Sequence, residues 1–309
     1  MILSCCPNPS IDTYAWLHSF KAGGVNRISR LREFPGGKGI HVALALAELG
    51  ADSKLLGLWA GNNGQWIKQA CEEKGVASSG VGIPGNNRKC FSFRSEDPTF
   101  DNSELLEPGP ELSFDAWEEF KHLFATEITN ASLVCMSGSW PAQAPADAYR
   151  SLIRTAKQQQ VKTLLDCTGT QLEQALEEGF FGLHLNEEEA ENLCGSRQLQ
   201  ALLHKLAGRV ELVALTKGAE GLDLYYKGEI VTAKVPIENI VSTVGSGDCL
   251  TAGIAFAVEK DWPLEKIAAY GVACGAANCL TEDLGMLQRE QAEELLPRVQ
   301  IKKIRNEEY

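Results

Sequence analysis

The chain has 309 residues, 44% of them hydrophobic and 23% charged, enough apolar material to core one large α/β domain or two ordinary ones. Lys and Arg number 29 against 41 Asp and Glu, a formal charge of −12 that speaks against a general nucleic-acid binder and against docking on anionic lipid. No apolar run approaches the ~20 residues of a membrane span. The start, MILSCCPNPSID, has neither a basic n-region nor a long h-region, and the 10 cysteines are scattered without a C-x-x-C pair, so a reducing, cytoplasmic setting is expected.

In chain order, MILSCC predicts a short buried strand stopped by Pro7. IDTYAWLHSF and VNRISRLREF predict two strands around a Gly23-Gly24 turn. GGKGIHVALALAELGA predicts an amphipathic helix closed by Gly50, DSKLLGLWAG a strand, and NNGQWIKQACEEKGV a helix with an Asn cap candidate. RKCFSFRSEDPTFDNSELLEPGPEL predicts a second hairpin with EDPTFDN at its tip. From Leu112 onward helices and strands alternate, with a late hairpin, GLDLYYKGEIVTAKV, and a helical end. Such alternation predicts a mostly parallel sheet covered on both faces. The two early hairpins break the pattern and suit a small β lid over the C-terminal edge of that sheet, where open α/β folds bind ligands.

The chemistry concentrates at STVGSGDCLTAG. Gly245, Ser246 and Gly247 lead into an apolar helix, so backbone N–H groups and the positive end of the helix dipole converge, an anion hole suited to a phosphoryl group in transfer. Asp248 then stands ready as a general base for an attacking hydroxyl, or serves only as a helix cap. GGKG, Gly36 to Gly39, lacks the Ser or Thr of a phosphate-binding P-loop; it is either a close-approach loop for a polyhydroxy ligand or a tight turn. NEEEAEN offers Asn186 and Glu189 for water-mediated Mg²⁺, or is simply an acidic helix start. Arg27, Arg88 and Lys89 lie on the hairpins, where converging cations would clamp a phosphate and isolated ones would protect strand edges.

These segments occur in one order that resembles the ribokinase-like PfkB family of sugar kinases, over nearly the whole chain and most closely in its phosphosugar branch. NPSID resembles the exit of the first strand, GGKGIHVA the first family signature, LLEPGPEL and SGSWPAQAP phosphosugar-branch segments, LNEEEAENL the N-x-x-E motif, LTKGAEGL the nucleotide-side turn, STVGSGDCLTAG the second signature, and GAANCLTEDLG the adenine-side segment.

The resemblance implies one three-layer ribokinase-like α/β kinase domain over 1–309, a mostly parallel central sheet and a small β lid at about 11–34 and 87–107, often paired with a second copy through the lid. It implies an ATP- and Mg²⁺-dependent kinase acting on a free primary hydroxyl of a ketohexose phosphate, with fructose 1-phosphate favoured and tagatose 6-phosphate or fructose 6-phosphate next. A non-catalytic sugar-phosphate sensor and a kinase of unphosphorylated sugars or nucleosides are the rivals on the same fold. Asp248 becomes the base, with Gly245, Ser246 and Gly247 as the anion hole. Asp12, Gly36, Gly37, Lys38 and His41 fall to the sugar, Arg27, Arg88, Lys89 and Ser139 to its phosphate, and Asn186 and Glu189 to the metal. His184, Thr216, Lys217, Gly218, Gly221 and Asn278 fall to the nucleotide. Departures from the family pattern are His41 in place of Asn, His184 in place of Lys, Trp140 in place of a smaller apolar residue, and Cys249 in place of a small one.

Overall fold

The computed structural model describes residues 1–304. Its strands are β1 (Ile2–Cys6), β2 (Ser10–Leu17), β3 (Arg30–Gly36), β4 (Ser53–Ala60), β5 (Ala77–Ile83), β6 (Arg88–Ser95), β7 (Glu104–Leu106), β8 (Leu133–Ser137), β9 (Lys162–Asp166), β10 (Phe180–Asn186), β11 (Val210–Thr216), β12 (Leu222–Tyr226), β13 (Glu229–Lys234) and β14 (Gln300–Ile304). The helices are α1 (Lys38–Glu48), α2 (Gly61–Glu73), α3 (Phe114–Glu127), α4 (Ala148–Gln158), α5 (Gly169–Glu178), α6 (Glu187–Cys194), α7 (Leu199–Leu206), α8 (Ser246–Glu259), α9 (Leu264–Asn278) and α10 (Arg289–Leu295).

A 10-stranded sheet runs in the order β14-β13-β12-β11-β10-β9-β8-β1-β4-β5. It is parallel from β11 to β5 and antiparallel from β11 to β14. Central strands such as ILSCC and LVCMS are apolar throughout because helices cover both of their faces. Successive side chains alternate between two cores. Leu3, Met136 and Leu183 pack with Phe120, Tyr149 and Leu202 of α3, α4 and α7. Ile2, Cys135 and Ala214 pack with Val42, Ala252 and Ala273 of α1, α8 and α9. Most of the cysteines are buried in these layers as small apolar residues.

The second sheet has 4 strands in the order β3-β2-β6-β7. Its two hairpins are joined by a parallel β2–β6 pair that sets Arg88 beside Ser10 and Cys90 beside Asp12. Tyr14 Oη donates 2.5 Å to Ser242 Oγ, and Arg32 reaches Glu282 and Asp283, so this sheet is tied to both loops flanking α8 and α9.

Three local expectations change. No asparagine caps α2: its N-cap is Ala60, without a side-chain bond. The segment of β5, ASSGVGI, is not apolar enough to read as a strand, yet it pairs along β4. QIKKI, largely exposed, becomes β14 by pairing with β13. No helix among the described residues is long and apolar enough to cross a membrane.

Candidate active site

Asp248 is the third residue of α8 and is buried. The cap position belongs to Gly245, in the left-handed region at φ 84°, which rules out a capping role for the aspartate. Gly245 also meets the neighbouring loop closely: a Cβ there would lie 2.4 Å from Gly285 Cα. The amides of Gly247 and Asp248 have no helical carbonyl behind them, and with the dipole they make the start of α8 positive.

His41, buried on α1, stands between two carboxylates. Its Nδ1 is 2.8 Å from Asp248 Oδ2. Its Nε2 is 3.1 Å from Asp12 Oδ2, an ion-pair distance off the line of a hydrogen bond. Burial opposes charge on the ring, but Asp12 and Asp248 outweigh it and raise His41 to about 10. Burial lifts Asp248 above the usual carboxylate range against the pull of His41. Burial also acts on Asp12, but the close His41 ring and the Ser10 hydroxyl win and hold it low. Gly36, the last residue of β3, packs against the Asp12 carboxylate, and Gly37 is the N-cap of α1.

A second charged chain lies beside the first. Lys38 Nζ donates 2.6 Å to Asp166 Oδ1 and 3.4 Å to Glu189 Oε1. Asp166 Oδ2 is 2.8 Å from His184 Nδ1, and His184 Nε2 is 3.2 Å from Thr216 Oγ1. Asp166, at the end of β9, is fully buried, yet Lys38 and His184 more than offset that burial and hold it ionised. Sequence reading missed this residue, although an acid closing the apolar run KTLLD is itself a signal. Asn8 was missed as well. It is buried, with Nδ2 3.4 Å from the Pro108 carbonyl and 3.5 Å from Ser139 Oγ, and its Oδ1 has no partner.

The cleft beside these groups encloses about 520 Å³ and is lined by Asn8, Lys38, Arg88, Ser139 and Trp140, among others. Arg88 makes no ion pair among the described residues, and its buried Nε has no acceptor. Lys89, next in the strand, points elsewhere and pairs with Glu33 at 2.7 Å, so it is not part of a clamp. Arg27 is exposed on the loop between β2 and β3, beyond the Trp16 end of the lid, whereas Arg88 sits at its Ser10 end. The two arginines therefore do not converge within one chain. Trp140 packs edge-on against Trp117, Phe120 and Tyr149, and Cys249 is buried with its thiol toward the Gly285 carbonyl.

On the nucleotide side, Lys217 is held 2.8 Å from Asp223. The 217–221 turn is closed by the Lys217 amide on the Gly221 carbonyl, with Gly218 inside it. Asn278 Nδ2 donates 2.7 Å to the Met286 carbonyl, so this side chain shapes the loop after α9. Asn186 and Glu189 form a reciprocal capping box at the start of α6, each side chain accepting 2.9 Å from the other's backbone amide.

A parallel sheet whose C-terminal edge carries a glycine turn, a helix N-terminus and a buried aspartate defines an α/β phosphotransferase site. The family described as pfkB family carbohydrate kinase matches residues 7–288, and the chain belongs to this family of kinases, which use an alcohol group as acceptor. The 1-phosphofructokinase of Bacillus subtilis (strain 168) is 29% identical, over 98% of this chain and 100% of the relative. The tagatose-6-phosphate kinase of Staphylococcus epidermidis (strain ATCC 12228 / FDA PCI 1200) is 28% identical, over 97% and 99%. Phosphofructokinase-2 from Escherichia coli, solved in complex with potassium, shares the fold with a TM-score of 0.88 at 22% identity, over 96% of this chain and 98% of that one. Arabidopsis thaliana ribokinase, complexed with ribose and ATP, superimposes with a TM-score of 0.77 at 20% identity over 96% and 98%, which makes the fold ribokinase-like.

Proposed function

We propose that the chain is an ATP-dependent phosphosugar kinase that phosphorylates the free primary hydroxyl of a ketohexose phosphate, with fructose 1-phosphate as the favoured acceptor. The observation that carries this is Arg88, a cation without an ion pair among the described residues, in the cleft with Ser139 and Asn8. A neutral sugar gives a half-buried guanidinium in a cleft no counter-charge, whereas a phosphate gives it charge-assisted, bidentate bonds. With the phosphate there, the far end of the sugar falls to Asp12 and His41. Asp248 takes the proton of the attacking hydroxyl as that oxygen bonds to the γ-phosphorus and the bond to ADP breaks. The amides of Gly247 and Asp248 stabilise the charge on the transferring group.

Four carboxylates, Asp12, Asp166, Glu189 and Asp248, surround Lys38 and His41. Such an excess of negative charge suits a divalent cation arriving with the nucleotide. Glu189 has one oxygen in the capping box and the other facing Lys38, and Asn186 is committed to its cap, so the residues fit Mg²⁺ held through water rather than an all-protein cage. The ion would neutralise the polyphosphate. The two bonded nitrogens of His184 support a role in orienting Thr216 and flooring the anion hole beside Gly247, leaving Lys38 as the lysine on the acidic side of the site.

We read 1–309 as one kinase domain of the cytoplasm, paired with a second copy through the lid. Exposed Val25, Ile28, Leu31, Leu105 and Leu106, all carried by that sheet and its loop, support the pairing. A coupled ADP-release assay over fructose 1-phosphate, tagatose 6-phosphate, fructose 6-phosphate and their unphosphorylated sugars tests the function. Turnover of a neutral sugar in preference to all three phosphates would overturn it.

A further inference from the structure

His41 is placed to do more than bind an acceptor. One ring edge meets the base and the other meets Asp12, at 2.8 and 3.1 Å. A neutral imidazole has one N–H, so it would turn a lone pair toward one of the two carboxylates; only the imidazolium serves both. The ring cannot swing away. Gly285, at φ 63°, lies so close that a Cβ there would sit 2.0 Å from His41 Cδ2, and the loop bearing it is pinned by Asn278 and by Arg32 of the lid. Nε2 is buried and lacks an aligned acceptor, which leaves one N–H for a ligand beside Asp12.

We propose that His41 is the positioning residue of the reaction: a fixed imidazolium that holds Asp248 ionised and aimed through Oδ2, and offers Nε2–H to the acceptor sugar. This rests on the kinase function proposed above. The base accepts the hydroxyl proton on Oδ1, the oxygen His41 leaves free, and His41 remains protonated through the step. The groups acting on the pair come from every side: Asp12 on β2, Asp248 on α8, Lys38 and Asp166 through their charges on Asp248, and Arg88 through its charge on Asp12. Without the imidazolium, two buried carboxylates would face each other, and the Asp248 carboxyl would be pushed further up, weakening it as a base toward low pH.

The test has one arm that needs no substrate. In ¹⁵N-histidine NMR of the ligand-free protein, both His41 nitrogens should carry protons at pH 7.5 and titrate together only toward pH 10; a single protonated nitrogen at pH 7.5 overturns the proposal. In the second arm, His41→Asn keeps a donor but removes the charge. Its kcat should fall at least about 10-fold at pH 6, recover toward the parent by pH 9, and show an acid limb moved up by about one unit or more. A uniform loss at all pH values, or an unmoved limb, overturns it. If the wild type turns over none of the phosphosugars, the substrate assignment fails while the NMR arm still decides the state of His41.

Discussion

Asp248, the proposed base, is subject to opposing forces on one carboxylate. Burial raises it and His41 lowers it, and the residue caps nothing. Asp248→Asn should therefore leave the fold intact and cut kcat by roughly 10²–10⁴, as removal of a positioned base does; parent-level turnover on a confirmed substrate would end its candidacy. Arg88→Ala should raise KM for the phosphosugar and leave KM for ATP nearly unchanged, because the proposed function has the guanidinium meet only the sugar's phosphate. His41 also makes a prediction about stability. Its folded value, about 10, lies above the ordinary imidazole value of 6.5, so its stabilising contribution is complete below the unfolded value and is lost as pH rises through the folded one. The gap in unfolding free energy between wild type and His41→Asn should thus shrink from pH 6.5 to pH 10, measured by urea titration at several pH values.

Among the elements, the loop from Cys279 to Leu287 matters most. It follows α9 and meets Gly245, His41 and the lid together. Asn278, itself buried, holds it by donating to the carbonyl of half-buried Met286. Asn278→Ala leaves that carbonyl only the longer 3.4 Å bond from Thr281 Oγ1 and should cost about 1 kcal/mol in chemical denaturation. Because the same loop backs the glycine turn at Gly245, KM for ATP should rise in the same variant. An unchanged stability would mean that the carbonyl finds another donor.

For the whole molecule, the lid decides how much of the site one chain can supply. Arg88 is at the cleft, whereas Arg27 is exposed at the opposite end of the lid with apolar neighbours Val25 and Ile28. A free protein surface rarely carries such a cluster unless something covers it. The double variant Leu31→Lys, Leu105→Lys should shift sedimentation from dimer to monomer at micromolar concentration while leaving the circular dichroism of the α/β body unchanged. A wild type that sediments as a monomer would remove the lid pairing.

The fold was legible because its signals are local. Alternating apolar strands and helices, glycine turns and helix starts are written within windows of ten or fifteen residues, and the two hairpins stood out by breaking the alternation. Asp248 was legible for the same reason, being coupled to the glycines immediately before it. The order of strands, the pairing of β2 with β6, and β5 and β14 as strands depended on partners far away in the chain, and weakly apolar segments become strands only when a neighbour supplies the hydrogen bonds. The same holds for the electrostatics. His41, Asp12 and Asp248, like Lys38, Asp166 and His184, come from separate elements brought together at one sheet edge. A charge or a hydrogen bond depends on distances of a few ångströms, so residue types alone could nominate all of these groups but Asp166, and only the tertiary structure could pair the histidine with the base, send Lys89 to Glu33 and leave Arg88 without an ion pair among the described residues.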